Sequence, residues 1–520
     1  MALYDTAVPF FGPLPDWLNA TDAARLASYT FYKDLLDNDS TAFKITLRDD
    51  EENPIYVPTA KRIVRTMARY VCKDLGFTPV GGTPQEQTDA ILAFGNLFNR
   101  EEFFPNFRDA LEDGIAQGDF CLYVSGDPGK PEGSRLTLKF IRPGTYFAIT
   151  DPDSPDRVVG QMMVERIFVN DAGLTGQADS KKEALRRQRW VKVTSPLHPA
   201  YQPPPAVPNY ETSIQYDCVV MDLKDWEDPT KATIVRTVWP MMEIPGITQL
   251  PIYHFRNRGE TQEIYGQSEL AGFERLVFAI NQAVTDEDVA LAMQGLGLYV
   301  TNQTPVNANG EPTDWILGPR RVVELKGVDG MFERVQGITS VLPSQDHISY
   351  LHDQVDSTLG ISDVALGQVD TAVAESGIAL ALRMGPLLDE SGRKDDRILS
   401  KLKQLFFDLK MWFAVYESTK FSDAITIEPD VGEKLPRDVE KELARLQDLF
   451  VNGILPLRLY IVKLNELGMN LGDPAELMAE LEAEAQKRLE AEQAAMDASG
   501  VNRLGQEANA DTAPADGTAA

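Results

Sequence analysis

Tyr265-Gly266-Gln267-Ser268-Glu269-Leu270 opens the stretch whose reading decides the fold. From it the apolar residues Leu270, Phe273, Val277, Ile280, Val284 and Leu291 step by threes and fours. This is a 3.5-residue repeat with one slot missing at 287–288, where Glu287 and Asp288 follow Asp286. The spacing predicts a single helix over 263–294, about 48 Å long, which is long for an ordinary globular domain. Gly295 and Gly297 end it.

The chain on either side of this helix reads as sheet. Before it, Asp119–Ser125, Leu136–Ile141, Tyr146–Ile149, Val158–Val169, Arg189–Thr194, Ser213–Leu223 and Thr233–Trp239 are short β-branched or aromatic runs punctuated by Gly, Pro and Asp. Pro196–Pro208 is a proline-rich insert among them. After the helix come Leu298–Thr301, Trp315–Leu317, Arg321–Leu325 and Met331–Val335, with the hairpin dipeptides Asn309-Gly310 and Asp329-Gly330.

Helices return further along. Ser344–Leu359 is a second helix, Gly360–Ala374 a loop, and Glu375–Ser418 a longer helix with Ile398, Leu402, Leu405, Leu409, Trp412 and Tyr416 on one face. Gly385 and Pro386 lie inside that pattern. Pro386 has no backbone donor and crowds the preceding turn, so a kink is expected there. Ala424–Ile427 is one strand returning to the β region. Residues 1–118 read as mostly helical, including Tyr56–Leu75 and Gln85–Phe98, and 436–494 as three helical pieces broken at Asn452-Gly453 and Gly472–Pro474. Beyond 496 the composition is that of a disordered tail. The fold class is α+β.

The 520 residues suit two to four domains, and 43% hydrophobic residues suffice for a sizeable core. The formal net charge of −29 argues against a uniformly basic nucleic-acid clamp and against anchorage to anionic lipid. The N-terminus lacks the pattern of a signal peptide, and no apolar run is long enough to span a bilayer. Cys72, Cys121 and Cys218 form no C-x-x-C pair and read as core filler in a reducing, cytoplasmic setting. No Walker phosphate loop, dinucleotide fingerprint, H-E-x-x-H or G-x-S-x-G occurs. Gly126–Pro131 reads as a hairpin loop and Asp151–Asp156 as an acidic turn. His347 and His352 are five apart, on different sides of a helix. Neither a cofactor nor a metal is expected, and the chain does not read as an enzyme.

Pattern alone fits either a helical hairpin packed inside one monomer or helices packed side by side in a ring. Pro251-Ile252-Tyr253-His254-Phe255-Arg256-Asn257, the stretch from Tyr265 to Leu270, then Leu276 and Asn281-Gln282-Ala283, resemble the portal (head-to-tail connector) proteins of tailed double-stranded DNA bacteriophages of the siphophage type. Glu375–Leu380 and Met384–Leu387 resemble the start of that family's long kinked helix. The order of elements matches over about 20–495. The resemblance implies a β-rich wing (1–262), a stem helix (263–296), a small α/β clip (297–340), a second stem helix (341–359), a tunnel loop (360–374), a long kinked wing helix (375–419), a wing strand and linker (420–434) and a helical crown (435–495), followed by the 496–520 tail.

It further implies a homo-oligomeric ring, usually of twelve subunits, at one capsid vertex of the virion and assembled in the host cytoplasm. Double-stranded DNA would pass through it in packaging and ejection. The partners would be a separate terminase motor, major capsid and scaffolding proteins and a head-tail adaptor, with no membrane. Within that frame Asp286, Glu287 and Asp288 either line the channel or face solvent. Asp363, Val364, Leu366, Val369 and Asp370 are tunnel-loop candidates for contact with DNA or with the neighbouring loop. Arg320, Arg321, Lys326 and Arg334 give the clip a basic tint suited to acidic partners or to a scattered solvated surface. Another ring-forming or stalked virion adaptor or scaffold is the second reading, and a metal-dependent hydrolase the third.

Overall fold

The fold is that of a computed structural model. It describes residues 20–46, 54–151, 154–170, 181–192, 214–222, 234–259, 263–296, 298–302, 304, 311, 329–335, 342–362, 365–366, 377–434, 439–469, 471–472, 474, 477–481, 483–484, 486–491 and 494. The chain divides into two compact units, residues 1–434 and 435–520.

The larger unit begins with helices α1 (Ala20–Asp37) and α2 (Thr59–Ala68), strand β1 (Gly76–Val80), and helices α3 (Pro84–Arg100) and α4 (Phe103–Gln117). Thr83 and Glu86 form a reciprocal capping box at the start of α3, with Pro84 in its first turn, which fixes where that helix starts. The helix expected over Tyr56–Leu75 is shorter. Cys72 and Asp74 take left-handed backbone conformations, and the Cys72 amide donates to Asp395 Oδ1 at 2.7 Å, so the chain turns out of the helix there.

Strands follow in chain order: β2 (Asp119–Gly126), β3 (Leu136–Ile141), β4 (Tyr146–Asp151), β5 (Ser154–Asn170), β6 (Lys181–Lys192), β7 (Ile214–Asp222), β8 (Ile234–Ile244) and β9 (Ile252–Arg256). Strands β4 to β8 form an antiparallel five-stranded meander in sequence order. Strand β2 is central in a second sheet of order β3-β2-β9, so β9 returns across more than a hundred residues to pair Phe255 with Phe120 and His254 with Cys121. Strand β6 starts at Lys181, eight residues before the expected Arg189. Its charged residues tolerate the strand because Arg186 pairs with Glu165, while Arg187 and Arg189 both pair with Asp217. The Gly126–Pro131 segment falls in the β2–β3 hairpin, and of Asp151–Asp156 the described residues are Asp151 at the end of β4 and Ser154–Asp156 at the start of β5.

Helix α5 (Glu274–Leu296) comes next, then the antiparallel pair β10 (Leu298–Thr301) and β11 (Phe332–Val335), α6 (Leu342–Leu359), α7 (Gly377–Tyr416) and β12 (Thr426–Asp430). The helix expected from 263 begins eleven residues later, for reasons that belong to the site below. Strand β12 corrects a second expectation. It pairs with β1 inside the helical N-terminal region, Gly76 opposite Asp430, and does not join the β-rich sheets. The smaller unit holds α8 (Val439–Val451) and α9 (Leu457–Glu466), with Asn452 and Gly453 between them and further helical residues from 474 on. Trp315–Leu317, Arg321–Leu325, Pro196–Pro208 and the 496–520 tail lie outside the described residues. No helix among the described residues is long and apolar enough to cross a membrane.

The core of the larger unit is aromatic. Phe98 packs on Phe77, Phe94, Phe103, Phe104 and Phe406, and the α7 face of Ile398, Leu402, Leu405, Leu409 and Trp412 is buried, closing that core from the other side. All three cysteines are buried and free, and burial pushes the Cys72 and Cys121 thiols up. Phe98→Ala removes the ring at the centre of the cluster and should cost about 3–5 kcal/mol. Denaturant unfolding measures this, and a loss below about 1 kcal/mol would show that the cluster is not the core it looks to be.

Candidate functional site

The residues just before α5 are held against α4 and β2 by a close backbone approach. Gly118 ends α4 with φ of 109°, a left-handed conformation that favours glycine. A Cβ placed on it would lie 2.8 Å from the Gly266 carbonyl oxygen, and one on Gly266 would lie 2.2 Å from the Gly118 oxygen. The two chain segments therefore meet glycine to glycine. The contact puts the Gly266 amide 2.7 Å from Asp119 Oδ1.

Asp119 is fully buried and takes three donors: that amide, His254 Nε2 at 2.7 Å, and the Tyr29 hydroxyl on Oδ2. A buried carboxylate is tolerated when its lone pairs are filled in this way. Burial, reinforced by Asp119, pushes the Tyr29 phenol well above its usual range. Arg25 lies 3.9 Å over the Tyr265 ring and is fixed by Asp22 and by the carbonyls of Pro143 and Tyr146.

The next four residues continue the same docking. The Gln267 amide donates to the Arg258 carbonyl at 2.7 Å, and the Glu269 amide to Ile115 at 2.9 Å. Ser268 Oγ donates to the Ala116 carbonyl and accepts from the Leu270 amide at 3.0 Å. The amides of Gln267 and Glu269 are thus bound to Arg258, just past β9, and to Ile115 of α4, so they cannot donate four residues back as a helix running from 263 would require; α5 starts only at Glu274.

Glu269 is buried, and so is the cation it meets. Lys394 of α7 donates to Glu269 Oε2 and to Asn257 Oδ1, each at 2.7 Å, while Asn257 Nδ2 donates to Glu269 Oε2 at 3.1 Å and to the Gln267 carbonyl at 3.2 Å. Lys394 and Glu269 expose only 2% and 1% of their side chains, so water does not screen the pair. Burial lowers the pKa of Lys394 from its usual range, and Glu269 opposes that shift. Asn257 is the last residue of the sequence stretch that runs on from β9, and here it joins strand, loop and α7.

The pair α5 and α6 grows out of this junction. Asn281 Oδ1 accepts the Val57 amide at 2.6 Å, Gln282 binds both backbone groups of Thr46, and Thr285 Oγ1 accepts the Ile55 amide at 3.0 Å. Arg62 pairs with Asp356 at 3.1 Å and meets His352, whose pKa burial and that guanidinium lower. Burial runs in opposite directions along the two helices: Val277 and Ile280 are buried and Leu291 exposed in α5, while Leu342 and Tyr350 are exposed and Val355 buried in α6. Gly360, at φ of 65°, follows α6. A Cβ there would lie 2.6 Å from Pro386 Cβ, so the loop after α6 rests on α7 at its proline.

Asp286, Glu287 and Asp288 lie on α5 in the part beyond this anchoring. Asp286 accepts from Gln282 at 3.1 Å and Asp288 is exposed. At about 100° per residue the three carboxylates fan around the helix and do not share one face. Arg334 is on β11 opposite Tyr299. Leu366 sits in a short turn, its amide 3.3 Å from the Ser362 carbonyl. Gly385 and Pro386 lie in α7, which continues through them as one helix. Asp363, Val364, Val369, Asp370, Arg320, Arg321 and Lys326 lie outside the described residues.

Among the described residues no group of three His, Cys, Asp or Glu side chains is placed to hold a metal ion. Sequence reasoning missed Arg25, Tyr29, Asp119 and Lys394. Only Lys394 left a signal: it stands four residues before Ile398, a charge on the apolar stripe of α7. Comparison with protein-family models and with curated proteins finds no match for this chain.

Lys394→Met leaves the Glu269 carboxylate buried without its ammonium and should cost about 3–5 kcal/mol, most of it restored by adding Glu269→Leu. Purely additive losses in denaturant unfolding would contradict the pairing. The pH dependence has a definite sign. The folded-state pKa of Lys394 is below the usual 10.5, so its contribution is full above the unfolded value and is lost as pH falls through the folded one. The cost of Lys394→Met should therefore grow as pH rises across that alkaline window, and a shrinking cost would contradict the assignment.

Proposed function

We propose that the chain is the portal protein of a tailed double-stranded DNA bacteriophage, a ring of about twelve copies through which DNA enters and leaves the capsid. The observation that supports this reading is the pair of helices α5 and α6 with the antiparallel strands β10 and β11 between them in the chain. Its base is fixed by buried polar contacts, while Leu291, Leu342 and Tyr350 away from the base are 45%, 63% and 56% exposed. Apolar side chains left exposed on a fixed pair of helices call for a neighbour, and side-by-side copies in closed cyclic symmetry supply one to every subunit.

The residues that carry the resemblance support the same reading. Asn257, Gly266, Ser268, Asn281 and Gln282 are the ones whose polar groups set the start and seat of α5. In this assignment α5 and α6 are the stem, β10 and β11 belong to the clip, α7 crosses the wing and the smaller unit is the crown. The chain's charge of −29, multiplied around a ring, disfavours tight phosphate contacts and so suits a conduit along which DNA slides.

Native mass spectrometry of the intact chain, with negative-stain images, should show rings of about twelve copies with a central hole. A compact monomer at every concentration, with or without capsid and scaffolding proteins, would contradict the reading and favour an adaptor. Pro386→Ala restores a backbone donor inside α7 and gives the Gly360 loop a different rest. It should lower DNA packaging in an infection assay more than it lowers ring formation, and normal packaging would remove the mechanical role of this position.

A further inference from the structure

Between β5, β6, β9 and α7 lies a cleft of about 480 Å³, within the range of small-ligand sites. Arg157 of β5, Lys192 of β6, Arg256 of β9 and Lys401 of α7 all line it, and Glu263 is the one carboxylate that does. Among the described residues none of the four cations is in a salt bridge. Arg256 donates to the Glu263 backbone carbonyl, and Lys401 to Gln404 Oε1 at 3.0 Å. Asp408 is near Lys401 and Lys192, but its carboxylate is engaged by the Tyr253 hydroxyl at 2.8 Å, and burial pushes its pKa up. Burial holds the Lys401 ammonium below the usual lysine range. Asp408 opposes that shift, and the neighbouring Arg256 adds to it.

Four cations facing one cleft repel one another, and they stand in a chain whose net charge is −29. The local field is thus opposite in sign to that of the whole molecule. An anion with several oxygens would relieve the repulsion and use the guanidinium and ammonium donors together, as phosphate groups do. We propose that this cleft binds a small polyanion of the phosphate class, held by Arg157, Lys192, Arg256 and Lys401. The site is built within one subunit and does not depend on the ring.

Isothermal titration of the intact chain with inorganic pyrophosphate at pH 7 and low salt tests this. One site per chain is expected, and Lys192→Gln and Arg157→Gln should each weaken it about tenfold or more. Arg157 is exposed and Lys192 half-buried, so both variants should keep the parent's circular dichroism and melting temperature. A short DNA duplex added as competitor separates the two sources of phosphate. Displacement of pyrophosphate assigns the site to a phosphodiester backbone, and retention assigns it to free phosphates. Absence of binding, or binding that neither substitution weakens, would overturn the proposal.

Discussion

Everything around α5 depends on the contact between Gly118 and Gly266. Any side chain at either position would enter the other's backbone, and without that approach the Gly266 amide could not reach Asp119. Once the contact is made, the amides of 267 and 269 and the hydroxyl of Ser268 find their partners at Arg258, just past β9, and at the end of α4. The register of the loop is thereby set, and with it the residue at which the helix starts. A shift by one residue would leave several buried donors unpaired, each costing about 1–3 kcal/mol.

Charge then fixes the other side. Glu269 and Lys394 are buried together and share Asn257, so α7 is tied to the loop by groups that no other alignment would satisfy. Such a pair adds little net stability over apolar packing, because desolvation offsets most of the attraction. Its effect is on geometry: breaking it leaves a charge buried without its partner. Together with the seat that Asn281, Gln282 and Thr285 give α5, it makes the base of the helix pair rigid while the far ends stay exposed. A fixed base with exposed apolar ends is the feature on which the proposed ring rests.

Much of this was legible in the sequence where one period governs. The aliphatic face of α7, the strands Leu136–Ile141 and Leu298–Thr301, and the helix up to Leu359 lie where periodicity and turn residues put them. The start of α5 was not legible. Leu270 and Phe273 continue the helical repeat and are buried, yet their segment is held by tertiary hydrogen bonds that no local pattern encodes. Strand β1 was missed because Gly76-Phe77-Thr78-Pro79-Val80 is short and carries a proline, and its partner β12 is some 350 residues away. The first part of β6, Lys181–Gln188, lay outside the expected strand: its run of charges carries no β pattern, and its fit to the sheet rests on the cross-strand carboxylates Glu165 and Asp217. Of the polar junction, Asn257, Gly266 and Ser268 stood out in the sequence. Asp119, Tyr29 and Arg25 did not, since a buried carboxylate and its donors look like any surface polar residues before the chain is folded.

Hydrogen–deuterium exchange of the intact chain, read at single amides, tests the central claim most directly. If the loop before α5 is part of the core, the amides of Gly266, Gln267 and Glu269 will exchange as slowly as those of β2, through global unfolding only. Exchange at the rate of an open surface loop, with β2 still protected, would show that the junction does not hold the helix pair.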